Sequence, residues 1–302
     1  MTTARIEGIV PILVTPFFDD GRIDEESLAR LIEYNIAAGI QGLGVAIGSE
    51  VFKLTEAERR QMTNAVVRLV NGRVPVIINT GATGTDIAVH YARLAVDAGA
   101  DALMIMPPSF FAVGAQEIVD YYKAISAAVS VPLILQDIPQ APISPALALR
   151  IADECPTVTH IKVETLPLTQ KVADMAAAVG DRLVVFGGAG GGYFIEELRR
   201  GARGTMPFCS QPTEFLAVWN KMNDGDIAGA RAVFDEAFTG INRLSNQNAD
   251  LFFHVHKQLL FRMGIIRTPT VRSPSIPLDP ITRAEIDEVM EKLVPEPVPF
   301  GA

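Results

Sequence analysis

Val74-Pro75-Val76-Ile77-Ile78-Asn79, then a stretch of helical periodicity over residues 85–98, the turn Ala98-Gly99-Ala100 and Ala102-Leu103-Met104-Ile105-Met106 make one strand–helix–strand unit. Both strand segments are nearly continuous in apolar residues. That is the pattern of parallel strands covered on both faces; strict alternation would mark a sheet with one wet side. The glycine supplies the turn that ends the helix. Outward from this unit, runs of the same kind occupy residues 9–14, 42–46, 131–136, 158–162, 183–186 and 204–208. Helical periodicity covers residues 27–38, 55–70, 115–129, 145–153, 168–179 and 193–200 between them. The second helix opens Thr55-Glu56-Ala57-Glu58, a capping box in which the threonine hydroxyl and the glutamate each satisfy a first-turn N–H.

A βα alternation repeated eight times, at roughly thirty residues per unit, closes into a (β/α)8 barrel. An open doubly wound sheet would carry a spaced glycine fingerprint after its first strand, and Thr15-Pro16-Phe17 is not one. The expectation is an α/β protein, a TIM barrel over residues 1–210 with a C-terminal helical extension over 211–302 packed on it. Residues 213–223, 226–244, 249–263 and 282–293 read as the helices of that extension, and 294–302 as an extended tail.

The 302 residues are 49% hydrophobic and 20% charged, with a net charge of -9. This is an ordinary globular composition. The acidity argues against a nucleic-acid partner, because phosphate contact needs clustered Lys and Arg. It leaves room for a small acid in a locally positive pocket. Cys155 and Cys209 form no CxxC and read as structural thiols in a reducing cytoplasm. No apolar run approaches the roughly 18 residues of a membrane span, and residues 1–7 hold no apolar signal core. The histidines form no ligand cluster, so neither a metal nor another cofactor is expected. His90 reads as structural. His254 and His256 lie on different sides of a helix and face a subunit contact or a solvent groove.

Barrels of this kind react at the C-terminal ends of their strands. The sixth strand ends in Lys162, where partial desolvation would free an amine to attack a carbonyl; on spacing alone it is equally a surface lysine. Glu164, two residues on, projects to the same side if the strand persists and could move a proton beside an iminium. Gly48-Ser49-Glu50 after the second strand offers N–H groups and the Ser49 hydroxyl as a carboxylate cradle, or is a plain turn. The glycine run 187–192 either binds an anion at a helix N-terminus or lets the backbone pass close to a pocket.

Taken in order, Gly8-Ile9-Val10-Pro11, Thr15-Pro16-Phe17, Gly48-Ser49-Glu50 with Leu54 and Glu58, Lys162, and Gly201-Ala202 with Gly204 resemble the dihydrodipicolinate synthase and N-acetylneuraminate lyase superfamily. The resemblance covers residues 6–210 and continues into the extension. It implies a Schiff-base lysine at Lys162, a small-molecule 2-keto acid substrate and a homotetramer. Three departures stand out. Ile47-Gly48-Ser49-Glu50 replaces a Thr-Thr-Gly-Glu-like loop, Pro108-Ser109 replaces a Tyr-Tyr pair, and Gln136 stands where a proton-relaying tyrosine is usual. With Ser49 to Thr55, Gln136-Asp137-Ile138-Pro139, Lys162 to Thr165, Asn246-Gln247-Asn248, Lys257 and Val271-Arg272, the chain resembles the 2-keto-3-deoxy-L-arabonate dehydratases within that superfamily. It departs from them in having glycines where an acidic residue is expected after the seventh strand.

The resemblance therefore implies a lyase in which Lys162 forms the iminium, Glu164 moves the C3 proton and Gln136, which has no ionisable proton, only orients substrate or water. Gly48 and Ser49 would hold the substrate carboxylate, with Gly188 and Met206 also in the substrate-binding set. Loss of the tyrosine tilts the balance from aldol cleavage to elimination. A pyruvate-dependent aldolase and a non-catalytic binding barrel are the alternatives.

Overall fold

The computed structural model describes residues 5–248 and 250–301. Strands β1 (Gly8–Ile9), β2 (Leu43–Val45), β3 (Val76–Asn79), β4 (Ala102–Ile105), β5 (Leu133–Asp137), β6 (Val158–Val163), β7 (Val184–Gly187) and β8 (Gly204–Thr205) alternate with helices α1 (Glu25–Ala38), α2 (Glu56–Val70), α3 (Thr85–Asp97), α4 (Ala115–Ala128), α5 (Pro145–Glu154), α6 (Leu168–Val179) and α7 (Phe194–Leu198). Neighbours in the sheet run β1-β8-β7-β6-β5-β4-β3-β2, and the strand pairs are parallel. The first strand is shorter than residues 9–14. Its continuation still closes the ring, because Ile12 bridges Gly44 on one side and Phe208 on the other. The Leu13 N–H donates to the Gly44 carbonyl at 2.8 Å and the Gly44 N–H to the Pro11 carbonyl at 2.9 Å. The expected TIM barrel is the observed fold.

The apolar runs resolve into two sets by parity, as a pleated strand requires. Val10, Ile77, Met104, Ile134, Val184 and Phe186 meet inside the barrel. Their neighbours Ile9, Ile78, Leu103, Leu135, Ile161 and Val185 face the helices. The inward parity of β5 and β6 therefore continues to Gln136, Lys162 and Glu164.

Helix α8 (Pro212–Asn223) packs against α1 and α7. It also packs extensively on α9 (Ile227–Ser245), so it joins the ring to the helices that follow. The sequence shows only that these residues form a helix; its partner α1 lies far away along the chain, further than helical periodicity can see. The extension proper is α9 (Ile227–Ser245), α10 (Leu251–Arg262) and α11 (Pro280–Leu293), which build a smaller core around Ile241, Leu244, Val255, Leu259, Ile286 and Met290.

One ionic cluster ties this extension to the barrel. Lys257 of α10 and Glu50 after β2 are both fully buried and directly bonded. Lys257 Nζ also donates to the Thr270 carbonyl at 2.8 Å. Glu50 further accepts from the Arg272 N–H at 3.1 Å and from Lys53 at 3.2 Å. Glu50 itself holds a left-handed backbone, φ 56°, a conformation costing a non-glycine residue of order 1–3 kcal/mol. Replacing Lys257 by Met leaves the Glu50 carboxylate buried beside fewer donors. Lys257→Met is expected to lower unfolding free energy by about 3–5 kcal/mol, measured by denaturant titration; a loss below about 1 kcal/mol would show that Lys53 and Arg272 suffice.

Candidate active site

A cavity of about 430 Å3 opens at the C-terminal ends of the strands, between them and α9 and α10. That is within the size range of small-molecule sites. A second cleft, beside Arg59 and Tyr91 outside the ring, holds about 30 Å3, room for little more than a water.

Lys162 and Glu164 both line the larger cavity. Lys162 is 5% exposed, and its Nζ lies 3.0 Å from Glu164 Oε1. The same oxygen accepts the Ala189 N–H at 3.2 Å, and Glu164 Oε2 accepts from Gln136 Nε2 at 3.1 Å. Gln136 Oε1 in turn accepts from Asn79 Nδ2 at 3.2 Å. The chain Asn79–Gln136–Glu164 thus fixes which end of the Gln136 amide faces the carboxylate. Asn79 ends β3 on the same inward parity, which is the signal that could have found it in the sequence.

The backbone carrying Glu164 is held from the outer side. Asp137, fully buried, accepts the Glu164 N–H at 3.3 Å, the Thr165 N–H at 3.2 Å and the Thr165 hydroxyl at 2.7 Å. Its other oxygen takes Lys171 Nζ at 2.7 Å and the Ile143 N–H at 2.8 Å. Asp137 therefore positions Glu164 and does not face the cavity itself.

The remaining expected site residues divide. Gly48 and Met206 line the cavity. Ser49 does not: its hydroxyl donates to the Leu13 carbonyl and accepts the Ala46 N–H at 3.1 Å, and its own N–H donates to the Ala46 carbonyl at 2.8 Å. The side chain expected to cradle a carboxylate is spent in folding the turn, leaving Ile47 and Gly48 as that turn's lining residues. Gly188 does not line the cavity either. A Cβ there would lie 2.4 Å from Glu164 Cγ, so its lack of a side chain is what lets Glu164 sit where it does. The glycine run as a whole follows the second of its two sequence readings, backbone passing close to a pocket; α7 behind it has only five residues. His256 is buried on the cavity wall, its ring stacked on Phe208 at 3.9 Å, and belongs to neither a subunit contact nor a solvent groove. His254 turns away to Ser275 Oγ at 2.8 Å. Cys155 and Cys209 are buried free thiols, pushed up by burial to about 11 and about 12.

An acidic residue does approach from the seventh strand's side. Glu197 of α7 is fully buried and both carboxyl oxygens lack a hydrogen-bond partner among the described residues. A Cβ on Gly187 would fall 1.8 Å from Glu197 Oε2. Two adjacent glycines therefore separate two carboxyl groups, Glu164 on the cavity side and Glu197 behind. Burial raises the Glu197 carboxyl from 4.5 to about 8; the field of the Gly188 N–H opposes this only in part, and Glu164 adds to it. The folded chain holds this proton up to about pH 8 and the unfolded chain releases it near 4.5. Folding then takes up a proton between these values, and stability falls as pH rises through them. Glu197→Gln should remove that slope and stabilise the fold at pH 7 by on the order of 3 kcal/mol. Thermal melting of both proteins from pH 5 to 8 reads it; parallel pH profiles would mean that Glu197 ionises normally.

Among known proteins, the chain is 30% identical over 301 residues to the L-2-keto-3-deoxyarabonate dehydratase of Azospirillum brasilense, covering 97% of this chain and 96% of that one. It is 31% identical over 297 residues to the 4-hydroxy-tetrahydrodipicolinate synthase of Rhizobium meliloti, covering 94% and 97%. The crystal structure of dihydrodipicolinate synthase from Rhodopseudomonas palustris superposes with a TM-score of 0.86 at 27% identity, over 95% of this chain and 97% of that one. The model of the dihydrodipicolinate synthetase family matches residues 5–293, from the first strand to the last helix, and this chain belongs to that family.

Proposed function

We propose that this lyase of the dihydrodipicolinate synthetase family works through a Schiff base on Lys162 and dehydrates a 2-keto-3-deoxy sugar acid. The observation that carries the reading is the Lys162–Glu164 pair at 3.0 Å with Gln136, a group without an exchangeable acid proton, as its neighbour. The Lys162 amine adds to the C2 carbonyl and water leaves, giving an iminium. That cation acidifies C3, and the Glu164 carboxylate takes a C3 proton to give an enamine. The electron pair then expels the C4 hydroxyl, which leaves as water with the proton that Glu164 carried. Hydrolysis of the iminium frees the product and the lysine. Aldol cleavage would need a group to deprotonate the C4 hydroxyl; Gln136 has no basic site for it, and Asn79 already occupies its oxygen.

Names among the relatives are divided between a dehydratase and synthases, so the reading rests on the site. Borohydride with 2-keto-3-deoxy-arabonate should leave a reduced adduct on the peptide containing Lys162, with 2,5-dioxopentanoate as the product without reductant. Release of pyruvate instead would make the chain an aldolase. Lys162→Ala should abolish turnover, and Glu164→Gln should keep the adduct while slowing elimination about 10²–10⁴-fold.

The homotetramer belongs to the same proposal. Phe110 and Phe111, edge to face at 4.8 Å and each 74% exposed, are apolar surface of the kind a partner copy covers. Sedimentation velocity of the full chain should show four copies; a monomer at micromolar concentration would refute the assembly.

A further inference from the structure

Beyond Lys162 and Glu164, the cavity wall is made of neutral groups. Asn242, Ser245 and Asn246 line it from the last turn of α9. Their i, i+3, i+4 spacing puts them on one helix face. Ser245 Oγ is buried with no hydrogen-bond partner among the described residues. Gln140 adds an amide from the loop after β5. His256 adds an imidazole kept neutral by burial, which pushes it down to about 3, and held by Ser210 Oγ at 2.7 Å from Nδ1. Among the described lining residues Lys162 is the one cation and Glu164 the one carboxylate. A second carboxylate at the far end of a substrate would therefore meet no counter-charge on this wall.

We infer that Asn242, Ser245 and Asn246, with Gln140, form a specificity wall that reads uncharged hydroxyls at the far end of the substrate, the C5 hydroxyl of a five-carbon acid first. The inference rests on the Schiff-base reading of Lys162 and deepens it. The C5 oxygen is also the one that becomes the product aldehyde. After C3–C4 elimination, C5 loses a proton to give a dienamine that is also an enol; C3 takes a proton back, and the enol gives up its hydroxyl proton as C4 takes one, which yields the 2,5-dioxo acid with no oxidant needed. Holding that hydroxyl places the second proton loss as well as selecting the chain.

The test compares three acids that share the 2-keto group and the C4 hydroxyl. In 2-keto-3-deoxy-arabonate C5 is hydroxymethyl, in 4-hydroxy-2-oxopentanoate it is methyl, and in 4-hydroxy-2-oxoglutarate it is a carboxylate. The unaltered chain is expected to favour the first over either of the others by at least about tenfold in kcat/KM for loss of water. In Asn242→Ala and in Ser245→Ala combined with Asn246→Ala, that preference should shrink to within about threefold. Borohydride trapping of pyruvate, which has no chain beyond C3, reads whether the Lys162 end still works in each variant. A variant that fails to trap is replaced by Ser245→Ala alone, which removes only the unpartnered hydroxyl. An unaltered chain that forms the Lys162 adduct yet turns over all three acids alike, or a preference that survives in the variants, overturns the wall and leaves the Schiff base standing. No adduct with any of the acids overturns the Schiff-base reading and the wall with it.

Discussion

A closed parallel barrel gives every second side chain of every strand one destination, the barrel axis. Below the strand ends that space is filled by Val10, Ile77, Met104, Ile134, Val184 and Phe186. At the strand ends the same parity delivers Asn79, Gln136 and Lys162, and one step further Glu164. The site is thus the top layer of a packed interior. Its side chains are buried because the layer beneath them is solid, and they meet because eight strands converge on one line.

That convergence leaves little room, and the glycines of β7 and its loop are where room is made. Gly187 and Gly188 form a wall one backbone thick, with Glu164 against one face and Glu197 against the other. A side chain at either position would displace a carboxyl group. Holding two carboxyl groups so close in a dry place is costly, and the chain resolves it by asymmetry. Glu164 accepts from Lys162, Gln136 and the Ala189 N–H. Glu197, buried behind the glycines, has its carboxyl pushed up to about 8, chiefly by burial.

How much of this can be read from the chain follows from the range of each signal. The eight strands, their order and the inward side of Lys162 and Glu164 depend on patterns a few residues long, and these are legible. The fate of Ser49 is not, because a hydroxyl that serves a turn looks the same in sequence as one that serves a ligand; only the Leu13 carbonyl beside it decides. Glu50 and Lys257 are bonded across 207 positions, and nothing local to either residue announces the other. The packing of α8 on α1 is out of reach for a similar reason, although the helix itself is legible. His256 could be placed on a helix face but not against Phe208. Asn242, Ser245 and Asn246 did carry a local signal, three polar residues at i, i+3 and i+4 at the end of an amphipathic helix, which reads as an ordinary solvated face until the cavity is seen beside it.

Which reaction such a site favours turns on where protons can go. Gln136 has its amide nitrogen directed at Glu164 and its oxygen taken by Asn79, so it can orient and not titrate. His256 is held neutral by burial and Glu197 is walled off by Gly187. Proton traffic in the cavity is then confined to Lys162 and Glu164, two residues apart at the same strand end. On the proposed Schiff-base reading, a carboxylate beside the iminium reaches the C3 hydrogens more readily than a hydroxyl one carbon further on, and the loss of water needs only that one carrier, since the proton taken from C3 can leave with the C4 hydroxyl. Cleavage needs a base at the C4 hydroxyl that this wall does not supply. The far side of the cavity carries amides and a hydroxyl, groups that can hold a substrate by hydrogen bonds without carrying its protons.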